Sequence, residues 1–245
     1  MIPKVIHYFW FGNNPLPSIV EKCIESWMKF MPEYEIRRWD ESNFDVNQIS
    51  YTREAYRQKK WAYVSDYARM KVLYEEGGVY FDTDVELIKS INHILEIGAF
   101  MACERKSNFY PYPAVATGLG MAVEAHHPIL KSILDYYTNI HFERASAGLT
   151  VVEHVTTVLI NHGLKPISEK QTIKGITIYP TEYFCPFDKM NRLSITNNTV
   201  AIHHYAGTWV GNNAKIKKKI TKLLGPYLTY AIVKLKSFLR NLFTK

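Results

Sequence analysis

Residues 4–12, "KVIHYFWFG", are apolar and β-rich and are closed by Gly12-Asn13-Asn14-Pro15, which predicts a buried first strand and a loop. Beyond Pro15-Leu16-Pro17, the apolar residues Ile19, Val20, Cys23, Ile24, Trp27 and Met28 recur at helical spacing. They predict a helix over 18–31, with Ser18 as its N-cap. "YEIRRWD" (34–40) reads as a second strand. Strand, helix, strand in that order argues for a parallel sheet covered by helices.

A longer helix is predicted over 61–76, with Ala62, Ser65, Asp66, Arg69 and Leu73 along one side and a stop at Gly77-Gly78. Asp66 and Arg69, three residues apart, are neighbours on its surface. "VYFDTDVELI" (79–88) then has the β-branched and aromatic enrichment of a buried strand that ends at Asp82 and Asp84. Further strands are predicted at 99–104, 114–123, 176–180 and 199–205, with helices over 128–139 and 150–162 between them. The chain shows neither an internal repeat nor a disordered linker.

Composition adds less than pattern. The 245 residues, 47% hydrophobic and 22% charged, suffice for one large α/β domain or two small ones. Seventeen tyrosines and five tryptophans are enough to line a sugar or nucleobase pocket as well as a core. Cys23, Cys103 and Cys185 are odd in number and far apart, which predicts reduced, buried thiols and a cytosolic setting. The N-terminus lacks the basic and apolar regions of a signal peptide, so the sequon at Asn197 is read as chance.

Charge is uneven. Nine of the 30 basic side chains lie in residues 215–245, which hold no acidic one, leaving 21 Lys and Arg against 23 Asp and Glu elsewhere. Gly225-Pro226 divides this tail into two basic amphipathic pieces, and neither reaches the ~20 apolar residues that span a bilayer. The tail therefore reads as a helix lying on an anionic membrane surface, at residues 214–245, set against a solvated helical cap and against nucleic acid. No nucleic-acid module accompanies it, and no nucleic-acid partner is expected.

Asp82 and Asp84 admit three readings: solvated turn carboxylates, the nucleophile of a haloacid-dehalogenase-type phosphotransferase, or ligands of a divalent cation that also meets a nucleotide diphosphate. The phosphotransferase needs a further acidic pair downstream, and after Asp84 the aspartates are only Asp135 and Asp188, far from one another.

Four stretches together resemble glycosyltransferase family 32, the DXD sugar-binding group with bacterial capsule and lipopolysaccharide transferases, fungal initiating α-mannosyltransferases and α1,4-glycosyltransferases. They are "IPKVIHYFWFG" with "CIESW" and "YEIRRWD"; "YVSDYARMKVLYEEGGVYFDTDV"; "GLGMAVEAHHPIL"; and "AIHHYAGTW", spanning residues 2 to 209. The resemblance implies a GT-A fold over 1–213: a Rossmann-like α/β sandwich with a mainly parallel central sheet, binding a nucleotide-sugar and acting with retention. It implies donor contacts at Trp10, Ser65, Asp66, Arg69, Tyr80, Asp82 and Trp209, with Asp66, Arg69, Asp82 and Asp84 as the catalytic set. Asp82, Asp84 and His203 would hold Mn²⁺ or Mg²⁺. His203 and His204 point to opposite faces of a strand, so one at most faces the metal.

The expected reaction moves a hexose or N-acetylhexosamine from a nucleotide diphosphate sugar, UDP favoured over GDP. The expected acceptor is a glycan or lipid-linked oligosaccharide in capsule, lipopolysaccharide or exopolysaccharide synthesis, at the inner face of a bacterial membrane. The competing reading is a nucleotide-sugar-binding protein without catalysis. Relatives carry Gly-Pro near 145–156, where this chain has "ASAGLTVVEHVT"; Glu153 and His154 are the polar acceptor-side candidates there.

Overall fold

The computed structural model describes residues 1–105, 111–142, 149–188, 190 and 192–207. Trp209 and the whole basic tail lie outside the described residues. In chain order the elements are β1 (Val5–Phe9), α1 (Ser18–Phe30), β2 (Glu35–Trp39), α2 (Ser50–Arg57), α3 (Trp61–Glu76), β3 (Gly78–Tyr80) and β4 (Val85–Leu87). There follow α4 (Asn92–Leu95), β5 (Phe100–Glu104), β6 (Ala114–Val115), β7 (Met121–Val123), α5 (Pro128–Thr138), α6 (Val151–Asn161), β8 (Gln171–Ile173), β9 (Ile176–Tyr179), α7 (Thr181–Phe184) and β10 (Ala201–His203).

The main sheet runs β2-β1-β3-β7-β5-β9-β8, with β6 paired to β5 at its side. Strands β2, β1, β3, β5 and β9 share one direction, and β7 and β8 oppose it. The fold is therefore mixed α/β with a mainly parallel central sheet. A second, two-stranded antiparallel sheet pairs β10 with β4, His203 opposite Val85.

Alternation along the strands divides the core between the two faces of the sheet. Phe9, Tyr80, Met101, Cys103, Met121 and Ile178 face the side covered by α2, α3, α5 and α6. Ile6, Tyr8, Val79, Phe81, Phe100 and Tyr179 face the side of α1, α4 and α7. All three cysteines are free and buried.

Several expectations change. The strand after α3 stops at Tyr80, and Asp82, Thr83 and Asp84 form a turn between β3 and β4, which belong to different sheets. The apolar residues on both sides of the aspartates hid that break. The run 114–123 is also two strands, β6 and β7, because the chain turns through Ala116–Gly120. Ser18 is the first helical residue rather than the cap: Pro17 holds that position, and its carbonyl accepts from Val20 and Glu21.

The break after α3 needs both glycines. Gly77 (φ 70°) and Gly78 (φ 110°) adopt backbone conformations that other residues resist, and a side chain at either would meet backbone within 2.8 Å. The Gly77 carbonyl accepts a 3.0 Å bond from His7 Nε2, while Trp39 Nε1–H donates to His7 Nδ1 at 3.0 Å. His7 is fully buried, and burial lowers its pKa to about 4.

Protonation at Nδ1 would also set a donor against the Trp39 donor. Folded His7 thus binds its proton below the ordinary range, so its contribution to stability is complete above pH ~6.5 and is lost as pH falls towards 4. Urea unfolding at a series of pH values should show a slope of up to about 1.4 kcal/mol per pH unit from this residue in that window. His7→Gln should flatten the slope; an unchanged one would assign it to other groups.

Candidate active site

Helix α3 carries the first part of the site. It is buried on most of its circumference, including the charged Asp66 and Arg69. Two such charges are tolerated inside a core only when paired and hydrogen-bonded. Arg69 Nη2 donates to Asp66 Oδ1 at 2.9 Å, and Nε donates to the Ser65 carbonyl at 3.0 Å. The same Nη2 lies 3.3 Å from Asp82 Oδ1, and the guanidinium sits 4.6 Å from the centre of the Tyr80 ring. Tyr80 in turn donates its hydroxyl to Asp82 Oδ1 at 2.6 Å.

Two carboxylates therefore share one guanidinium. Burial, with the like charge of Asp82 adding to it, pushes the Asp66 carboxyl up to about 7 despite Arg69. Burial works against Arg69 as well, but Asp82 and Asp66 hold it more firmly charged than usual.

The second part comes from the turn after β3 and from β10. Asp84 Oδ1 accepts from His203 Nε2 at 3.0 Å, and Asp84 Oδ2 accepts from the Ala206 amide at 2.8 Å. Burial disfavours both charges. The hydrogen bond and attraction between them nonetheless raise His203 above the ordinary range and, with the Ala206 amide, lower Asp84. His204 points the other way and meets Glu86 on the surface, as strand alternation requires.

Asp82, Asp84 and His203 each offer a ligand atom within 4.8 Å of the others. An ion such as Mg²⁺ binds oxygens at roughly 2.0–2.1 Å, so the three donors would close on a single ion after the side chains draw together by a few tenths of an ångström. Two carboxylates with an imidazole suit a divalent first-row cation. The donor set fits.

The structure thus brings Asp66, Arg69, Tyr80, Asp82, Asp84 and His203 into one connected group. Trp10 stands just past β1, half-buried, with its indole N–H bound to the Asn14 carbonyl at 2.7 Å. The Ser65 hydroxyl is turned back to the Trp61 carbonyl at 3.1 Å. Neither side chain joins the group by a hydrogen bond among the described residues, although the Ser65 carbonyl accepts from Arg69. Glu153 caps its own helix by accepting from the Thr150 amide, and His154 Nδ1 pairs with the Tyr136 hydroxyl at 3.0 Å.

Two contributors escape a reading of the sequence. Gly118 accepts the Asp82 amide at its carbonyl, 2.8 Å away, and a methyl group at its Cα would stand 2.1 Å from Asp82 Oδ2. A glycine inside a β-rich run is the usual mark of such a close approach, so "ATGLGMAV" carried a usable signal. Ala206 contributes only its backbone N–H, which no side-chain pattern can announce.

Known proteins resemble this chain in sequence and in fold. The family described as "glycosyltransferase sugar-binding region containing DXD motif" matches residues 17–100, which include α3 and both aspartates. An uncharacterised glycosyltransferase of Acanthamoeba polyphaga mimivirus is 24% identical over 197 residues, covering 78% of this chain and 76% of its own. Inositol phosphoceramide mannosyltransferase 3 of Schizosaccharomyces pombe is 26% identical over 155 residues, 62% of this chain but 41% of that protein. Among solved structures, the PaToxG glycosyltransferase superposes with a TM-score of 0.52 at 19% identity, over 65% of this chain and 69% of its own. Matched region, relatives and fold agree: the chain is an enzyme of the glycosyltransferase class on the GT-A fold, similar over residues 17–100 to the DXD sugar-binding family.

Proposed function

We infer that the protein transfers a hexose or N-acetylhexosamine from a nucleoside diphosphate sugar, with UDP favoured as the nucleotide, to a glycan acceptor, with retention at the anomeric carbon. The observation that carries this reading is the convergence of Asp82, Asp84 and His203 beside the buried Asp66–Arg69 pair. Those three residues would hold Mn²⁺ or Mg²⁺, which when bound offsets charge on a diphosphate leaving group as a Lewis acid.

Each side chain then has a task. Asp84, latched by His203 and the Ala206 amide, fixes the turn. Asp82 has the more open side chain, 31% exposed against 12% for Asp84, and faces the ligand. Arg69, charged and rigid, orients Asp82 and Asp66, and Asp66 offers the donor sugar a hydrogen-bonding edge. In this cluster no carboxylate stands free of a partner to act as a nucleophile. A same-face displacement, in which the departing diphosphate helps deprotonate the acceptor hydroxyl, is the mechanism this supports.

The acceptor reading extends to residues 214–245, taken as a tail that holds the 1–213 domain at an anionic membrane bearing a lipid-linked acceptor, at the inner face of a bacterial cell in surface-polysaccharide synthesis. The tail's composition supports it, as does a relative named for a phosphoceramide substrate.

A thermal-shift panel of UDP- and GDP-sugars with and without Mn²⁺ should show one donor stabilising the protein only with the metal. Asp84→Asn should remove that metal-dependent shift and lower turnover by at least ~100-fold; undiminished turnover would defeat the metal assignment. Gly118→Ala should leave circular dichroism unchanged while kcat falls about tenfold or more, ~1.4 kcal/mol, because the added methyl displaces Asp82. The chain truncated after Ala214 should no longer sediment with anionic vesicles, each basic residue near the surface being worth roughly 1 kcal/mol. Continued sedimentation would remove the tail from the reading.

A further inference from the structure

Behind the Asp66–Arg69 pair, α2, α3, α5 and α6 enclose a second group of polar side chains. Tyr51 from α2, Tyr137 from α5 and His154 from α6 are at most 1% exposed. Their rings touch: Tyr51 and Tyr137 centroids are 5.0 Å apart, Tyr137 and His154 5.4 Å, Tyr51 and His154 6.3 Å. Yet Tyr51 Oη, Tyr137 Oη and His154 Nε2 are buried with no hydrogen-bond partner among the described residues, and so is Arg69 Nη1.

A single buried orphan hydroxyl costs about 1–3 kcal/mol, so two phenols and an imidazole buried against one another without partners call for an acceptor. Asp66 is the acceptor at hand. Its Oδ1 takes the Arg69 bond, while a carboxylate has lone pairs for about four. Among charged groups it is the one each phenol feels most, and together with burial it pushes both hydroxyls up. The Tyr136 hydroxyl bound at Nδ1 orients the His154 ring and leaves Nε2 directed inward.

We propose that Tyr51 and Tyr137 are positioning residues that hold the Asp66 carboxylate through internal water, with His154 Nε2 closing the network. A buried water makes about three hydrogen bonds, and here two phenols, one carboxylate and one imidazole nitrogen supply them. The network fixes the face of Asp66 turned away from the metal group, so the face towards the donor keeps one orientation. This role rests on the site proposed above, but its first test reads stability and uses no activity.

Tyr51→Phe and Tyr137→Phe keep the rings and remove only the hydroxyls. Each should lower the melting temperature by about 2–4 °C, the loss of roughly one hydrogen bond in a chain of this size. In an Asp66→Asn background the same changes should shift it by less than about 1 °C, because the hydroxyls act through that carboxylate. Tyr179→Phe is the control: its hydroxyl is likewise buried without a partner, but it belongs to the opposite face of the sheet. Its effect should be the same in both backgrounds.

With Mn²⁺ and the UDP- or GDP-sugar that stabilises the wild type, each phenol variant should lose about 10- to 100-fold in kcat with KM within about twofold. A rise in melting temperature in the phenol variants, or effects that simply add to Asp66→Asn, would overturn the network. Coupled stability with unchanged kcat would overturn the positioning role. Should Asp66→Asn fail to fold, the sign of the shift in the two single variants decides.

Discussion

The Arg69 guanidinium is the constraint on which the other parts of the site depend. It is nearly enclosed, it bonds to Asp66, it reaches Asp82, and it lies on the Tyr80 ring. A buried cation with one carboxylate would be a neutral pair; with two it leaves surplus negative charge that burial makes costly. Burial raises Asp66, and the like charge of Asp82 adds to it. The same cation explains why α3 runs through the core with charged residues on it, since burying Arg69 and Asp66 together satisfies groups that neither could satisfy alone.

The turn that carries the aspartates is a hinge between two sheets. Asp82 follows β3 of the main sheet, and Asp84 precedes β4 of the small one, whose partner β10 brings His203 from 119 residues away. The separation assigns different mechanics to two like residues. Asp84 has both oxygens engaged by β10 and the residues after it, and it ties the sheets together. Asp82 is held on one oxygen by Tyr80 and Arg69, with the other against Gly118, where no side chain fits. The order of the motif thus encodes one anchored and one presented carboxylate.

Much of this was legible in the chain, and the failures share a cause. Helix α3 and its stop were readable because Gly77-Gly78 interrupts a helical pattern, and β1 and β9 because each is a short apolar run with clear ends. Alternation alone placed His203 and His204 on opposite faces, and they are buried and exposed respectively. Strand ends inside apolar runs were not readable: neither Tyr80 nor Val115 is followed by a polar break, and the chain turns there because of which sheet it joins next. Helix α2 was missed because only Tyr51, Thr52 and Ala55 are buried along it, too short a stripe to register as a period. A contact made by a backbone N–H, such as that of Ala206, leaves no side-chain signature, whereas Gly118 is marked by its place in a β-rich run.

Charge balance shows why a cation belongs to the reading and is not an addition to it. Asp66 and Asp82 face one guanidinium, and His203 offsets Asp84 only while it carries a proton. A diphosphate approaching that cluster would meet carboxylates only partly offset by cations, which opposes its approach. The proton between His203 and Asp84 occupies the position at which a metal ligand would be offered, so proton and cation compete for one pair of lone pairs. On the proposed reading, a divalent cation held there would add one more positive charge than the proton and so favour a diphosphate. On the same reading, Asp84 and His203, which latch the turn to the small sheet, would also be two of the three residues that hold the cation.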